Sequence, residues 1–245
     1  DNANLNSIDQ ENYSFRGVFS KEWSAGETKF KLGYAGFDES QYETEDEIDF
    51  DRTAARYTGD LTTTSIEDSE LSAELGHEFE LGGDTDFEIG VFYQKKDRDT
   101  DIRTQRNRFN LADAVRDGYD QFANTPVEQR IAWTNLASVP GGLNTIEEDR
   151  LDAFAVIDGE QGRMSWEAGV RYETTDVTIT DLTVALADQV QEADYSFFLP
   201  SAHIKFDLTD ADRVSASVAR TVRRPNFNFI SPAVLEAELG DNDLL

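Results

Sequence analysis

The stretch Tyr195–Pro225, YSFFLPSAHIKFDLTDADRVSASVARTVRRP, contains two runs of alternating residues around a short turn at Thr209–Asp212. The apolar positions of the two runs are Phe198, Ala202, Ile204, Phe206, Leu208, Val214, Ala216 and Val218. A period of two predicts β-strands with one face in an apolar medium and the other in a polar medium. The fold therefore depends on whether the apolar medium is a protein core or a lipid bilayer.

Three earlier hairpins show the same alternation, at residues 13–34, 71–93 and 151–172. Their short turns are predicted at Ser24–Glu27, Gly82–Thr85 and Asp158–Gly162. In the first strand of the third hairpin, the outward face is ambiguous because Phe154 and Val156 oppose Leu151, Ala153, Ala155 and Ile157. The chain thus predicts an all-β fold of about eight strands in four hairpins, each strand about 9 to 12 residues long.

Long polar segments separate these hairpins, at residues 39–66, 96–148 and 178–192, and we expect them to be loops. One helix-like piece, Asn110–Tyr119, lies within the second segment. Short turns that alternate with loops of roughly 15 to 50 residues are typical of outer-membrane barrels, where the long loops are extracellular. Structureless loops of this length count against a compact soluble domain.

Aromatic residues support a membrane environment, because amphipathic rings are stable at the two lipid–water interfaces. The aromatics predicted near the short turns are Trp23, Phe30, Phe79, Phe87 and Phe206, and those towards the long loops are Tyr13, Tyr34, Tyr93 and Tyr172. The opposite face of the strands carries many charges, which a small closed barrel could bury only at high cost. The sequence therefore predicts part of a larger antiparallel up-and-down transmembrane β-barrel, with a wet or plugged lumen.

Composition excludes several classes of function. The net charge of −28 argues against nucleic-acid binding, and the absence of cysteine excludes disulfides and thiolate chemistry. Only His77 and His203 are available for a histidine-based metal site. No G-x-S-x-G, H-E-x-x-H or P-loop motif is present, so we expect no enzyme, no catalytic residue, no metal site and no cofactor.

Several residue groups could bind a ligand, but each has a simpler structural interpretation that we favour. The acidic segment Asp38–Asp51 lacks the glycine and spacing of a calcium loop, which favours a solvated loop. A set of arginines in the second long segment suits anionic ligands, but neighbouring acids favour local pairing. The arginines are Arg98, Arg103, Arg106 and Arg108, and the acids are Asp97, Asp99, Asp101 and Asp113.

Three further groups are expected to have structural roles. Arg220, Arg223 and Arg224 precede Pro225, which ends the strand ladder, and Arg220 is placed to reach the membrane interface. His77 is expected at the interface near a short turn. The loop aromatics are Tyr42, Phe50, Tyr57, Trp133, Phe227 and Phe229, for which ligand stacking and loop packing are equally good explanations.

Several short stretches carry a family resemblance. These are LPS at 199–201, the hairpin across Asp210–Asp212, ARTVRRPNF at 219–227, GDNDLL at 240–245 and GVRYET at 169–174. They resemble the TonB-dependent receptor family of outer-membrane transporters, in which GDNDLL is similar to the lead-in to a GNPxLxPE stretch. The last third of the chain is similar in motifs, and the remainder in architecture.

The resemblance implies a barrel of about 22 strands with a plugged lumen. It also implies a TonB box that contacts an energy transducer, and uptake of a siderophore, cobalamin, a metal chelate or a carbohydrate. We expect residues 1–245 to be an internal part of the barrel domain, with no plug domain in this chain. The expected location is the outer membrane of a Gram-negative bacterium, in contact with lipid and lipopolysaccharide. The ligand-binding residues and the identity of the small-molecule ligand do not follow from the sequence.

Two alternatives remain open at this stage. A passive porin would share the barrel wall but would need neither a plug nor a TonB-type partner. A soluble secreted β-protein that binds or cleaves carbohydrate would place the apolar face against a protein core.

Overall fold

The computed structural model describes residues 2–49, 56–82, 84–110 and 133–233. Within these ranges the chain forms one sheet of eight strands, and every neighbouring pair is antiparallel and consecutive in sequence. In the part of the chain that the structure describes, the first and last strands do not pair with each other, so the sheet is open. This confirms the predicted fold class, a partial up-and-down barrel of four hairpins.

The strands are β1 (Asn2–Trp23), β2 (Gly26–Asp49), β3 (Arg56–Glu80), β4 (Thr85–Asn110), β5 (Ala137–Gln161), β6 (Met164–Asp181), β7 (Val190–Asp207) and β8 (Arg213–Ala219). A 3-10 turn at Leu186–Asp188 joins β6 to β7, and a single helical turn, α1 (Phe227–Ile230), follows β8. The tight turn between β5 and β6 uses Gly162 at a φ of +62°, which favours glycine. None of the helices among the described residues is long and apolar enough to cross a membrane.

The predicted strand lengths are wrong. The strands β2 to β5 have 24 to 26 residues, and β6 and β7 have 18 each. Most of the segment 39–66 is paired, with Tyr42 opposite Thr63 and Thr44 opposite Leu61. Backbone hydrogen bonds pair the strands there despite the acidic composition, because the ladder does not depend on side-chain polarity.

The other two predicted loops are also shorter than expected. β4 continues to Asn110 and β5 begins at Ala137, so much of 96–148 is strand. The connection between β6 and β7 is confined to 182–189. The helix-like piece Asn110–Tyr119 lies outside the described residues, except for Asn110 at the end of β4.

Register assigns the two faces of the sheet. Leu75 lies opposite Phe30 and Val91, and Ala155 lies opposite Ile89 and Val170. Directly opposed residues share a face, so the regularly alternating apolar residues of all eight strands form one continuous outer face, while Phe92 and Phe154 lie on the inner face. The ambiguity in β5 is thereby settled: Leu151, Ala153, Ala155 and Ile157 belong to this outer face.

The outer face is apolar only between two levels of aromatic side chains. Tyr13, Tyr34, Tyr93 and Tyr172 lie at similar heights on the long-connection side, which we call the tyrosine belt. On the other side the Phe79 and Phe87 rings stack, with centroids 6.2 Å apart. The outer face between these levels is called the apolar band here, and it covers 13–23, 28–34, 71–79, 87–93, 151–157, 164–172, 198–206 and 214–218.

Beyond the tyrosine belt the strands continue as strand extensions, which comprise 2–12, 37–49, 56–70, 94–110, 137–150, 173–181 and 190–197. The apolar core of the described residues lies here and not in the apolar band. Its members are Ile48, Tyr57, Leu61, Ile66, Ile102, Ile146 and Val177, together with Ala233 after β8.

Candidate site on the inner wall

The inner wall carries an ion network at the level of the tyrosine belt. Arg150 donates two hydrogen bonds to Asp152, and Arg171 donates a third from Nη1 over 2.8 Å. Arg150 also lies 3.1 Å from Glu173, and Arg224 donates to the same carboxylate. The side chains of Asp152 and Glu173 are 0% and 1% exposed. We call these five residues the inner-wall cluster.

Strand geometry brings the cluster together. Arg150 and Asp152 are two residues apart on β5, as are Arg171 and Glu173 on β6, so all four face inward. Asp152 lies directly opposite Glu173, and the arginines separate the two negative charges. Sequence reasoning missed this cluster because Glu173 and Arg224 are far apart in the chain, and only the i, i+2 pairs on each strand were visible.

Two aromatic rings support the guanidinium groups. Arg150 lies over Phe92, with its central carbon 5.1 Å from the ring centroid, and Arg171 lies over Phe154 at 5.2 Å. The Phe154 ring occupies the space beside Gly90, where any Cβ would collide with it. The Phe154 ring therefore supports the Arg171 guanidinium through a cation–π contact. Position 90 must be glycine to leave room for that ring.

The chain after β8 crosses the inner wall. Arg224 reaches Glu173 on β6, and Asn228 accepts a hydrogen bond from Arg98 on β4. The Phe227 ring lies 5.7 Å from the Arg98 guanidinium, and Arg98 is fixed to Asp68 by two hydrogen bonds of 2.6 and 2.5 Å. We call residues 220–233 the strap, because they tie the end of β8 back to β4 and β6.

The strap and the wall border an open cavity of about 1160 Å³. Lys96, Arg98 and Glu148 line it from the wall, and Phe227 and Phe229 line it from the strap. A cavity of this size with mixed polar and aromatic lining is suited to a small molecule or to another protein segment. Among the described residues, no three Asp, Glu or His side chains are placed to hold a metal ion.

The Tyr195 phenol on β7 lies in a partly buried environment close to Glu148. Burial raises the pKa of the Tyr195 phenol above its ordinary value, and the nearby Glu148 carboxylate adds to the rise. Glu148 is itself 5% exposed at its side chain and lies 3.8 Å from Lys96. Its Oε1 atom has no hydrogen-bond partner. The wall therefore presents a buried acceptor to the cavity.

The predicted arginine pairing is only partly correct. Arg103 binds Asp101 over 2.7 Å, as expected. Arg98 instead binds Asp68, and Arg106 binds Asp60. The expectation of local pairing is wrong for these two because neighbours in a strand point to opposite faces, whereas Asp68 and Asp60 lie directly across the ladder. Asp113 lies outside the described residues.

The acidic segment is not the predicted loop. Residues 38–49 belong to β2, and 50–51 lie outside the described residues. The loop assignment is also wrong for Tyr42 and Tyr57, which lie on strands, and Tyr57 is fully buried with its hydroxyl donating to Asp46. Phe50 lies outside the described residues.

The remaining candidates lie close to their predicted positions. His77 is on the outer face near a short turn, where its ring contacts Phe79 edge-on at 4.3 Å and Nδ1 lies 2.8 Å from the Thr28 hydroxyl. Arg220 donates from Nη1 to the Phe198 carbonyl over 3.2 Å at the edge of the apolar band. Phe227 and Phe229 belong to α1 on the strap. Trp133 precedes β5.

A comparison of the sequence with protein families agrees with this geometry. A family model described as "TonB dependent receptor-like, beta-barrel" matches residues 1–244. The chain belongs to this TonB-dependent receptor β-barrel family. The family comprises outer-membrane receptors and transporters and not enzymes. No curated protein matches the sequence.

Solved structures that are similar to this chain have low sequence identity to it. The copper transporter OprC has a TM-score of 0.46 at 11% identity, covering 92% of this chain and 46% of its own. The siderophore receptor PiuA from Acinetobacter baumannii has 0.45 at 10%, covering 86% and 42%. The ferric citrate transporter FecA has 0.39 at 13%, covering 78% and 27%. This chain thus spans less than half of each, and such likenesses carry no argument about substrate.

Proposed function

We propose that this chain is part of the wall of a receptor that takes up a scarce nutrient across the outer membrane of a Gram-negative bacterium. The nutrient is a siderophore, cobalamin, a metal chelate or a carbohydrate, and a TonB-type transducer supplies the energy. The observation that carries the proposal is the two-faced sheet, apolar and exposed outside but charged inside. A family match over residues 1–244 supports it.

Each face has a distinct role in this proposal. The apolar band contacts lipid, and the strand extensions reach the lipopolysaccharide and the external medium. The inner wall carries many charges, which an apolar protein core would not accommodate because buried charges need partners. It faces a plug domain encoded elsewhere in the same protein, and residues 1–245 then form an internal part of the barrel domain.

Uptake by cells tests the proposal. The full-length protein is produced in a bacterial strain that lacks its own TonB-dependent receptors, with an empty vector as the control. Growth is then measured with ferric siderophores, cobalamin, metal chelates or oligosaccharides as the limiting nutrient. We expect growth with at least one nutrient, and loss of that growth when the TonB-type transducer is deleted.

Other outcomes contradict specific parts of the proposal. Growth that persists without the transducer identifies a passive porin. Recovery of the protein from the soluble fraction without detergent contradicts membrane insertion and favours a secreted β-protein. Failure to support growth on every nutrient tested, with the protein present in the outer membrane, contradicts the proposed substrate classes.

A further inference from the structure

A second, smaller groove of about 410 Å³ lies between the strap and the walls of β5, β6 and β7. Its charged lining residues are Arg150, Arg171, Arg220, Arg224 and Glu173. Asp152 on the inner wall is the other carboxylate, and it contacts Arg150 and Arg171. Three guanidinium groups, those of Arg150, Arg171 and Arg224, therefore contact two carboxylates, while Arg220 adds a fourth positive charge to the lining and donates to the Phe198 carbonyl. This charge lies in a chain whose net charge is −28. This local excess of positive charge needs an explanation.

The two carboxylates are already shared. Asp152 accepts from Arg150 and Arg171, and Glu173 lies against Arg150 and Arg224. Each carboxylate therefore pairs with two guanidinium groups. The positive charge in excess has no partner among the described residues that line the groove.

Several guanidinium donors remain available. The Nε atom of Arg224 is buried and has no hydrogen-bond partner. Arg171 uses Nη1 for Asp152, while 36% of its side chain is exposed. An arginine carries five N–H donors in a planar fork, so both residues can donate further into the groove. A buried donor without a partner is costly, but Glu173 Oε2 in the same groove is also buried without a hydrogen-bond partner, so the free donors that face the groove are mainly those of the partly exposed Arg171.

The arginines are held in place before any ligand binds. Phe92 and Phe154 support the planes of Arg150 and Arg171, and Asp152 fixes the edges of both. Rigid guanidinium forks match the paired oxygens of carboxylate and phosphate. Such preorganisation reduces the entropic cost of binding.

We propose that this groove, the arginine groove, binds an anionic oxygen group, either a carboxylate or a phosphate. The group is presented by an acidic side chain from another segment of the same protein or by a small anionic molecule inside the lumen. The proposal goes beyond nutrient uptake and does not require TonB-dependent transport, because it concerns only the charge on the inner wall.

Phosphate binding to the full-length protein in detergent is the first test. Equilibrium dialysis with radiolabelled inorganic phosphate at low salt compares the wild type with Arg171→Gln and Arg224→Gln. The matched control is Arg163→Gln, since Arg163 is exposed at the opposite end of the sheet, where it donates to the Leu208 carbonyl over 2.9 Å. For a groove open to small anions, we expect at least tenfold weaker binding in the two groove variants and unchanged binding in the control.

A high-resolution structure of the same full-length protein, with and without phosphate, is the second test and does not depend on variants. A carboxylate within hydrogen-bond distance of Arg171 or Arg224 supports the proposal and assigns the group to the protein itself. Phosphate in the groove, together with weaker binding by both variants, supports it and assigns the group to a small molecule. A groove that holds no anionic group in either structure overturns the proposal, whatever phosphate binds elsewhere. Neither test measures uptake, so failure here leaves the receptor function standing.

Discussion

The apolar band and the strand extensions belong to the same strands but place apolar side chains differently. In the band, Phe19 is 61% exposed and Val218 is 71% exposed. In the extensions, Ile146 and Tyr57 are fully buried. A soluble β-protein would bury the first set, and a barrel with bare external loops would lack the second set. The difference indicates that lipid covers one region, while the other buries most of its apolar residues in a core of its own and leaves Leu5, Ile8 and Val190 exposed.

The two regions also place different requirements on the pattern of apolar and charged residues in their sequences. The band needs strict alternation because its two faces meet different media. The extensions meet water at many positions, so their strands accept acidic and basic residues on both faces. Arg98 and Arg106 on β4 meet Asp68 and Asp60 on β3, and such cross-strand pairs replace the apolar face as a guide to register.

The largest effect is expected at the border between the two regions, where Asp152 lies among arginines with a fully buried side chain. Asp152→Asn leaves Arg150 and Arg171 without their shared negative charge. Breaking a buried ion pair by removing one partner typically costs about 3–5 kcal/mol. We expect a loss of that order in the free energy of unfolding of the full-length protein, measured by guanidinium titration in lipid vesicles.

The matched control is Asp101→Asn in the strand extensions. Asp101 binds Arg103 over 2.7 Å, but both side chains are well exposed. Exposed pairs contribute little to stability, so the control is expected to behave as the wild type. Equal losses in both variants would contradict the special role given to the inner-wall cluster.

The second prediction tests which face of the band meets lipid. Leu75 lies on the outer face of β3, opposite Phe30 and Val91, and Ser72 lies on the inner face of the same strand, opposite Gly33. Arginine on the lipid face near the bilayer midplane costs about 2–4 kcal/mol. We therefore expect Leu75→Arg to lower the yield of folded protein in the outer membrane, measured by heat-modified electrophoretic mobility.

Ser72→Arg is the control for this prediction. Its side chain enters a polar lumen next to the Gly33 backbone, so folded yield should stay near that of the wild type. If the inner-face variant failed and the outer-face variant assembled normally, the two faces would have to be exchanged.

Sequence alone could predict the band but not the extensions. In β3, Leu75 and Phe79 alternate with Glu74, Glu78 and Glu80, and that pattern predicts both the strand and its outer face. In 42–49, acidic residues occupy every odd position and alternate with Tyr42, Thr44, Asp46 and Ile48. The even face has too few large apolar residues for this alternation to outweigh the acidic composition, although the backbone is fully paired with β3. The inner-wall cluster could not be predicted from the sequence either, because its members come from separate strands and from the strap. The contact between Glu173 and Arg224 depends on the register and on the path of the strap after Pro225.

The third prediction concerns the extensions themselves. Thr63 lies on β3 between Tyr42 of β2 and Arg103 of β4, within a segment that sequence periodicity assigns to a loop. Thr63→Pro removes a ladder donor from a central strand and leaves a carbonyl without its partner, which costs about 1–3 kcal/mol. We expect faster hydrogen exchange at neighbouring amides of β2, β3 and β4, measured by mass spectrometry on the full-length protein.

Ala185→Pro supplies the contrast, because Ala185 lies in the connection between β6 and β7 with a φ of −62°, which proline adopts without strain. Hydrogen exchange near this position should change little. Exchange in the wild type that is already fast throughout 38–49 and 56–66 would mean that these segments are not stably paired. The extensions would then be loops, as their composition alone indicates, and the buried Tyr57 and Leu61 would have to open frequently to solvent. Slow exchange in the wild type that accelerates only in Thr63→Pro would instead show that the barrel wall continues above the membrane, held by backbone pairing and cross-strand charges.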